Sequence, residues 1–144
     1  MDYVQEITEK TVRAFTPTAN NSAGSRILMA EDNLVNQKLA KLLFRKLNHN
    51  VDIVSNGREA VEAVVSGAYD LVFMDIQMPQ LDGVAASQEI KKVMGEEAPV
   101  IIALTANAMQ GDKEKYLEAG MDHYIPKPIS MKDLSNYIEQ YVVS

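Results

Sequence analysis

The chain has 144 residues, enough for one domain that buries its own core. Apolar residues make up 47% and charged residues 24%, and the net charge of −6 speaks against a nucleic-acid surface, which needs a basic stripe. There are no cysteines, which excludes disulfides, thiolate zinc sites and cysteine nucleophiles and is compatible with a cytosolic location.

No stretch approaches the roughly 20 apolar residues of a membrane span, so the chain is expected to be soluble. The start, MDYVQEITEK, is acidic where a secretion signal would be basic and then apolar. Val4, Ile7 and Thr8 fit one face of a short helix, and the polar, Pro- and Gly-broken stretch after them reads as a linker or a fragment end over residues 1–25. The domain proper is expected over 26–144.

From Arg26 onward two patterns alternate. Strand-like apolar runs fall at 26–30, 51–54, 71–74, 100–104 and 123–125. Between the first two, Leu34, Val35, Leu39, Leu42, Leu43 and Leu47 form a stripe at helical spacing. A second helix over 58–65 presents Ala60, Val61 and Val64, and a weaker third over about 84–94 has Val84, Ile90, Val93 and Met94. A fourth is expected over about 108–119, and a last carries Leu134, Ile138, Tyr141 and Val142. Five strands alternating with five helices imply parallel crossovers, with helices on both faces of one sheet. The expectation is a doubly wound, flavodoxin-like α/β fold with strand order 2-1-3-4-5. The fifth run is the least apolar and suits an edge.

In open parallel sheets, ligands gather beyond the carboxyl ends of the strands. Glu31 and Asp32 follow the first strand, Asp75 ends the third, Thr105 follows the fourth and Lys127 the fifth. Each has an ordinary explanation alone. Asp32 could cap a helix, Asp75 could cap a turn, Thr105 could end a strand, and Lys127 could be a solvated surface lysine. Together they define a site. Crowded carboxylates need a cation or a proton, and an oxygen-only donor set suits a hard ion such as Mg²⁺. A carboxylate beside such an ion and an amine can attack phosphorus.

These motifs, in this order, resemble the receiver domain of two-component response regulators, from about Arg26 to the C-terminus. RILMAEDNLVNQKLA is similar to the family's first strand and acidic pocket, LVFMDIQMPQLDG to its phosphorylation segment, PVIIALTANAM to its switch strand and HYIPKPI to its lysine loop. The resemblance implies Asp75 as phosphoacceptor, and Glu31, Asp32, Asp75 and the Gln77 backbone carbonyl as Mg²⁺ ligands. It implies Lys127 as the phosphate-binding lysine, preceding a cis bond to Pro128, and Thr105 and Tyr124 as the switch pair. Gln77 and Asn107 take the positions that tune hydrolysis, and their polar side chains imply an ordinary phosphoryl lifetime. The wording EDN-x-VNQ and ALTANAM looks most like receivers of hybrid histidine kinases. The partners implied are a histidine kinase or a histidine phosphotransfer protein, with Asn33, Leu34, Asn36, Gln37, Met78 and Pro128 on the meeting face. The implied domain is a monomer or weak dimer in the cytoplasm, within a parent that could be membrane-anchored, and with no DNA-binding output domain after the fifth helix.

Three other readings are weaker. A haloacid-dehalogenase-type phosphatase would carry a second acid at position 77, where this chain has Gln. A flavodoxin would carry a hydroxyl- and Gly-rich loop after the first strand, where AEDNLVN places acids that repel phosphate. A docking-only receiver should lack part of the pocket, and here the pocket residues are all present.

Overall fold

The structure, a computed structural model, describes residues 27–106 and 110–142, with the side chains of 110–112 excepted. The expected helical turn near Val4, the linker over 1–25 and the Asn107 position lie outside the described residues.

The strands are β1 (Ile27–Ala30), β2 (Asp52–Val54), β3 (Leu71–Asp75), β4 (Val100–Thr105) and β5 (His123–Pro126). The helices are α1 (Leu34–Lys46), α2 (Gly57–Ser66), α3 (Gly83–Met94), α4 (Gln110–Glu118) and α5 (Met131–Tyr141). All strand pairs are parallel and the order is β2-β1-β3-β4-β5, as expected. Every residue of β1 and β3 is buried, as continuous apolar runs covered on both faces should be. β5 is an edge, which accounts for its mixed composition.

Alternation along the strands divides the core in two. Ile27, Met29, Leu71, Phe73, Ile102 and Leu104 face Ala40 and Phe44 of α1 and Leu134 and Ile138 of α5. Leu28, Ala30, Val72, Met74, Ile101 and Ala103 face α2 and α3, together with Tyr116 of α4. Full burial of one such aliphatic side chain contributes about 2 kcal/mol, so the two layers fix the sheet from both sides.

One helical face differs from expectation. On α1 the inward side is Ala40 and Phe44, with Leu43 and Leu47 packed beside them. Leu34, Val35, Leu39 and Leu42 are instead 69%, 73%, 46% and 50% exposed. The helix carries apolar side chains around more of its circumference than the sheet can cover. On α3, likewise, Gly83, Ala86, Ser87 and Ile90 are buried, whereas Val93 is exposed. Small side chains let this helix approach the sheet closely, and their weak hydropathy blurs the period.

Side-chain caps fix where four helices begin. Asn33 Oδ1 accepts from Asn36 N–H at 3.0 Å, Asn56 Oδ1 from Glu59 N–H at 2.8 Å, Asp82 Oδ1 from Ala85 N–H at 2.8 Å, and Ser130 Oγ from Asp133 N–H at 3.1 Å. The α1 cap is therefore Asn33, which leaves Asp32 uncommitted to that task. No helix among the described residues is long and apolar enough to cross a membrane.

Candidate functional site

The turns after β1, β3, β4 and β5 converge at one end of the sheet and line an open cleft of about 840 Å³. Glu31, Asp32, Asp75, Thr105 and Lys127 all face it. The register explains why. Asp75 is paired with Leu104 and Thr105 with Pro126, so the last residues of adjacent strands reach the same level. One carboxylate oxygen from each of Glu31, Asp32 and Asp75 lies within 4.8 Å of the other two.

Backbone and side-chain groups place Glu31 and Asp75. Glu31 is 2% exposed, and its N–H donates to the Val54 carbonyl at 3.0 Å. Its Oε2 accepts from Asn33 N–H at 3.1 Å and from Asn36 Nδ2 at 3.4 Å, and its carbonyl accepts from Gln37 Nε2 at 2.6 Å. Asn36 and Gln37, expected on a partner face, thus also support the acid. Asp75 is 4% exposed, and its Oδ1 accepts from the Gln77 N–H at 3.2 Å. The following loop returns tightly, with Gly83 N–H donating to the Ile76 carbonyl at 2.9 Å. A Cβ at Gly83 would stand 2.2 Å from the Asp75 carbonyl oxygen, so only glycine allows this approach. Asp32 is exposed and reaches the cleft from its rim.

Lys127 supplies positive charge. Its N–H donates to the Thr105 carbonyl at 2.8 Å, which fixes the backbone. Its Nζ donates to Asp75 Oδ2 at 2.9 Å and lies 3.6 Å from Glu31 Oε1. The Lys127–Pro128 bond is cis. Burial pushes the Asp75 carboxyl above the usual range; Lys127 opposes this without cancelling it, and Glu31 adds to it. Burial alone would lower the Lys127 ammonium, but its bonds and attraction to Asp75 and Glu31 raise it. Two buried acids share one amine: for Asp75 burial outweighs that amine, whereas for Lys127 the two acids together outweigh burial.

That surplus of negative charge, borne by oxygen atoms alone, fits a hard divalent cation such as Mg²⁺. Such an ion would reverse the local balance and hold the carboxyl groups ionised.

Thr105 is buried, and its Oγ1 lies 3.1 Å from the hydroxyl oxygen of Tyr116 on α4. Tyr124 on β5 is half-buried, with the Lys113 ammonium 5.7 Å from its ring centroid. Gln77 is exposed at the cleft rim. Tyr116 also lines the cleft and was not legible as a site residue. Its one sequence signal is a single aromatic in the polar segment QGDKEKYLE.

Over residues 27–139 the chain matches the family described as the response regulator receiver domain. It is 42% identical over 124 residues to hybrid signal transduction histidine kinase I of Dictyostelium discoideum, a match covering 81% of this chain and 7% of that protein. The chain spans between 6% and 17% of curated relatives matched at such levels. Among solved structures, the receiver domain of sensor histidine kinase PA1611 from Pseudomonas aeruginosa PAO1 has a magnesium ion coordinated in its active-site cleft. It is 40% identical with a TM-score of 0.74, covering 82% of this chain and 97% of that one. The receiver domain of Saccharomyces cerevisiae Ssk1, in complex with the histidine phosphotransfer protein Ypd1, is 32% identical with a TM-score of 0.76, covering 81% and 88%.

Proposed function

The chain belongs to the response regulator receiver domain family, and on that premise we propose that it accepts a phosphoryl group from phosphohistidine onto Asp75 within a His-to-Asp phosphorelay. The observation that carries the assignment is the juxtaposition of three carboxylates and the Lys127 ammonium at the carboxyl ends of the strands. Asp75 is the acid bonded to both Lys127 Nζ and the Gln77 N–H.

In this reading a carboxylate oxygen of Asp75 attacks phosphorus, an O–P bond forms, the N–P bond breaks, and the imidazole leaves with the electron pair. Lys127 then pairs with a phosphoryl oxygen, and Thr105 donates its hydroxyl to another. Glu31, Asp32, Asp75 and the Gln77 carbonyl would hold Mg²⁺, which when bound compensates charge on the transferring oxygens. Gln77 and Asn107, two residues beyond Asp75 and Thr105 in the sequence, are the positions proposed to tune hydrolysis, and their polar side chains favour an ordinary lifetime. Thr105 and Tyr124 form the switch: drawing Thr105 toward the phosphoryl group opens space for the Tyr124 ring, a shift between two populated states.

The donor is a histidine kinase or a histidine phosphotransfer protein. Leu34 and Val35, at 69% and 73% exposure, begin α1 beside the cleft. An apolar groove of about 290 Å³ adjoins the cleft at Asn36 and Lys127 and runs between Leu39, Leu43, Pro128 and Ile129. It suits an apolar face of a partner helix that presents its histidine over Asp75. The native setting is proposed to be a hybrid histidine kinase with this domain in the cytoplasm, as a monomer or weak dimer. Residues 26–144 would form the receiver and 1–25 a linker or fragment extension.

The test is intact mass after incubation with Mg²⁺ and a small phosphodonor, and then with a phosphorylated histidine phosphotransfer protein. A single Mg²⁺-dependent phosphoryl adduct is expected in the wild type and none in Asp75→Asn. No adduct from either donor would overturn the reading in favour of a docking-only receiver.

A further inference from the structure

Tyr116 stands out because nothing in the proposed chemistry requires it. Among the described side chains of α4, residues 113–118, it alone is buried, at 6% exposure. Its ring belongs to the core layer that also holds Met74 and Ala103, against which Tyr124 packs. Yet its hydroxyl does not simply end in that core. It lies 3.1 Å from Thr105 Oγ1, and the residue lines the cleft that holds Asp75 and Lys127. A phenylalanine would serve packing equally well, so the hydroxyl needs its own account.

Resting on the receiver reading above, we propose that Tyr116 is a positioning residue for phosphoryl capture, whose hydroxyl donates to Thr105 Oγ1 and so aims the threonine hydroxyl at the phosphoryl group. The direction of donation follows from acidity. A phenol is a far better hydrogen-bond donor than an aliphatic alcohol. A threonine oxygen that accepts from Tyr116 cannot send its own proton back along that line. The proton must go to another acceptor, and an ionised phosphoryl group with three oxygens is the strongest one the cleft receives. Two hydroxyls in series then polarise one another. The same bond anchors the polar helix α4 to the site, so capture of Thr105 is felt by the element that carries Lys113 and Lys115.

The opposite polarity, with Thr105 donating to Tyr116, would make the tyrosine a latch that competes with phosphoryl capture. The two arrangements give opposite signs. The experiment titrates beryllofluoride, a phosphoryl mimic, into the Mg²⁺-loaded chain. The midpoint is read from the amide resonance of residue 105 for wild type, Tyr116→Phe, Thr105→Val and the double variant. Tyr116→Phe should weaken loading about fivefold, the scale of one neutral buried hydrogen bond. In the Thr105→Val background it should cost nothing further, because the bond it removes is already gone. A Tyr116→Phe variant that loads as well as or better than wild type would overturn the proposal. So would a fivefold loss that persists beside Thr105→Val, since that marks a packing effect. A wild type that loads no mimic at all, and gains no adduct by mass, refutes the receiver reading itself.

Discussion

Asp75→Asn should stabilise the metal-free domain at neutral pH, although it breaks an ion pair. Lys127 Nζ lies 2.9 Å from Asp75 Oδ2, and at an effective dielectric of about 20 that attraction is about 6 kcal/mol. Glu31 offers an oxygen within 4.8 Å of Asp75, and at that separation the repulsion is roughly 3.5 kcal/mol. Asp32 is exposed, so solvent screens its share. The remaining attraction, about 2 to 3 kcal/mol, faces the cost of burying a carboxylate at 4% exposure, which is several kcal/mol. Ionised Asp75 is therefore a net liability, in line with the upward push on its pKa. Asn keeps the volume and an oxygen for the Gln77 N–H and sheds the charge, for a gain of about 1 kcal/mol, or about 4 °C in Tm for a domain of this size. The sign with pH follows. The folded carboxyl binds its proton more tightly than the unfolded one, so wild-type stability falls as pH rises from near the ordinary value of 3.8 through the raised folded value. The two proteins should converge below that window and differ fully above it. Thermal unfolding in EDTA across pH 3 to 8 reads the difference. Mg²⁺ at about 100 times its Kd should then add about 2.7 kcal/mol to the wild type and less to Asp75→Asn. A variant less stable than wild type in EDTA at pH 7 would refute the reasoning, because the ion pair would then outweigh burial.

Lys127→Met leaves Asp75 and Glu31 without their amine. Its cost in urea unfolding at pH 7 should be about 2 kcal/mol, below the usual figure for a buried pair because the lysine is 27% exposed. Gly83→Ala forces a Cβ to within 2.2 Å of the Asp75 carbonyl. Several kcal/mol of stability should go, with phosphodonor labelling reduced in whatever fraction stays folded, as mass spectrometry would count. Ser87 is fully buried and its hydroxyl has no hydrogen-bond partner among the described residues, so Ser87→Ala should raise stability in urea unfolding by about 1 kcal/mol. Leu34→Gln with Val35→Gln removes apolar surface that the fold does not bury. Unfolding and small-donor labelling should be unchanged, while transfer from a histidine phosphotransfer protein slows about tenfold, the result of losing one or two interface anchors.

Most of the architecture was legible because a parallel sheet writes itself into sequence as continuous apolar runs. β3 and β4 begin where the runs predict, at Leu71 and Val100, and each extends one residue further, onto Asp75 and Thr105. That extension matters, since both candidate site residues are the last of their strands rather than the first of their loops. The α1 surface was not legible. Periodicity finds apolar residues and assigns them inward, but Leu34, Val35, Leu39 and Leu42 point outward while Ala40 and Phe44 take the core. Phe44 meets Phe73 edge-on at 5.8 Å between ring centroids, a long-range contact that no local window contains.

The site divides along the same line. Residues at strand ends could be found by counting, because parallel register brings each to the same level of the sheet. Glu31, Asp75, Thr105 and Lys127 were all reachable that way. Tyr116 was not, because it enters from the side of a helix and its meaning lies in one hydroxyl contact across 11 residues. A lone aromatic in a polar helix reads as an anchor, and burial alone would confirm that reading. What changes it is the identity of the atom at the far end of the bond. In the proposed chemistry the Thr105 hydroxyl is the group that phosphoryl capture recruits, so the tyrosine hydroxyl 3.1 Å behind it bears on that chemistry even though Tyr116 contributes no charge to the cleft.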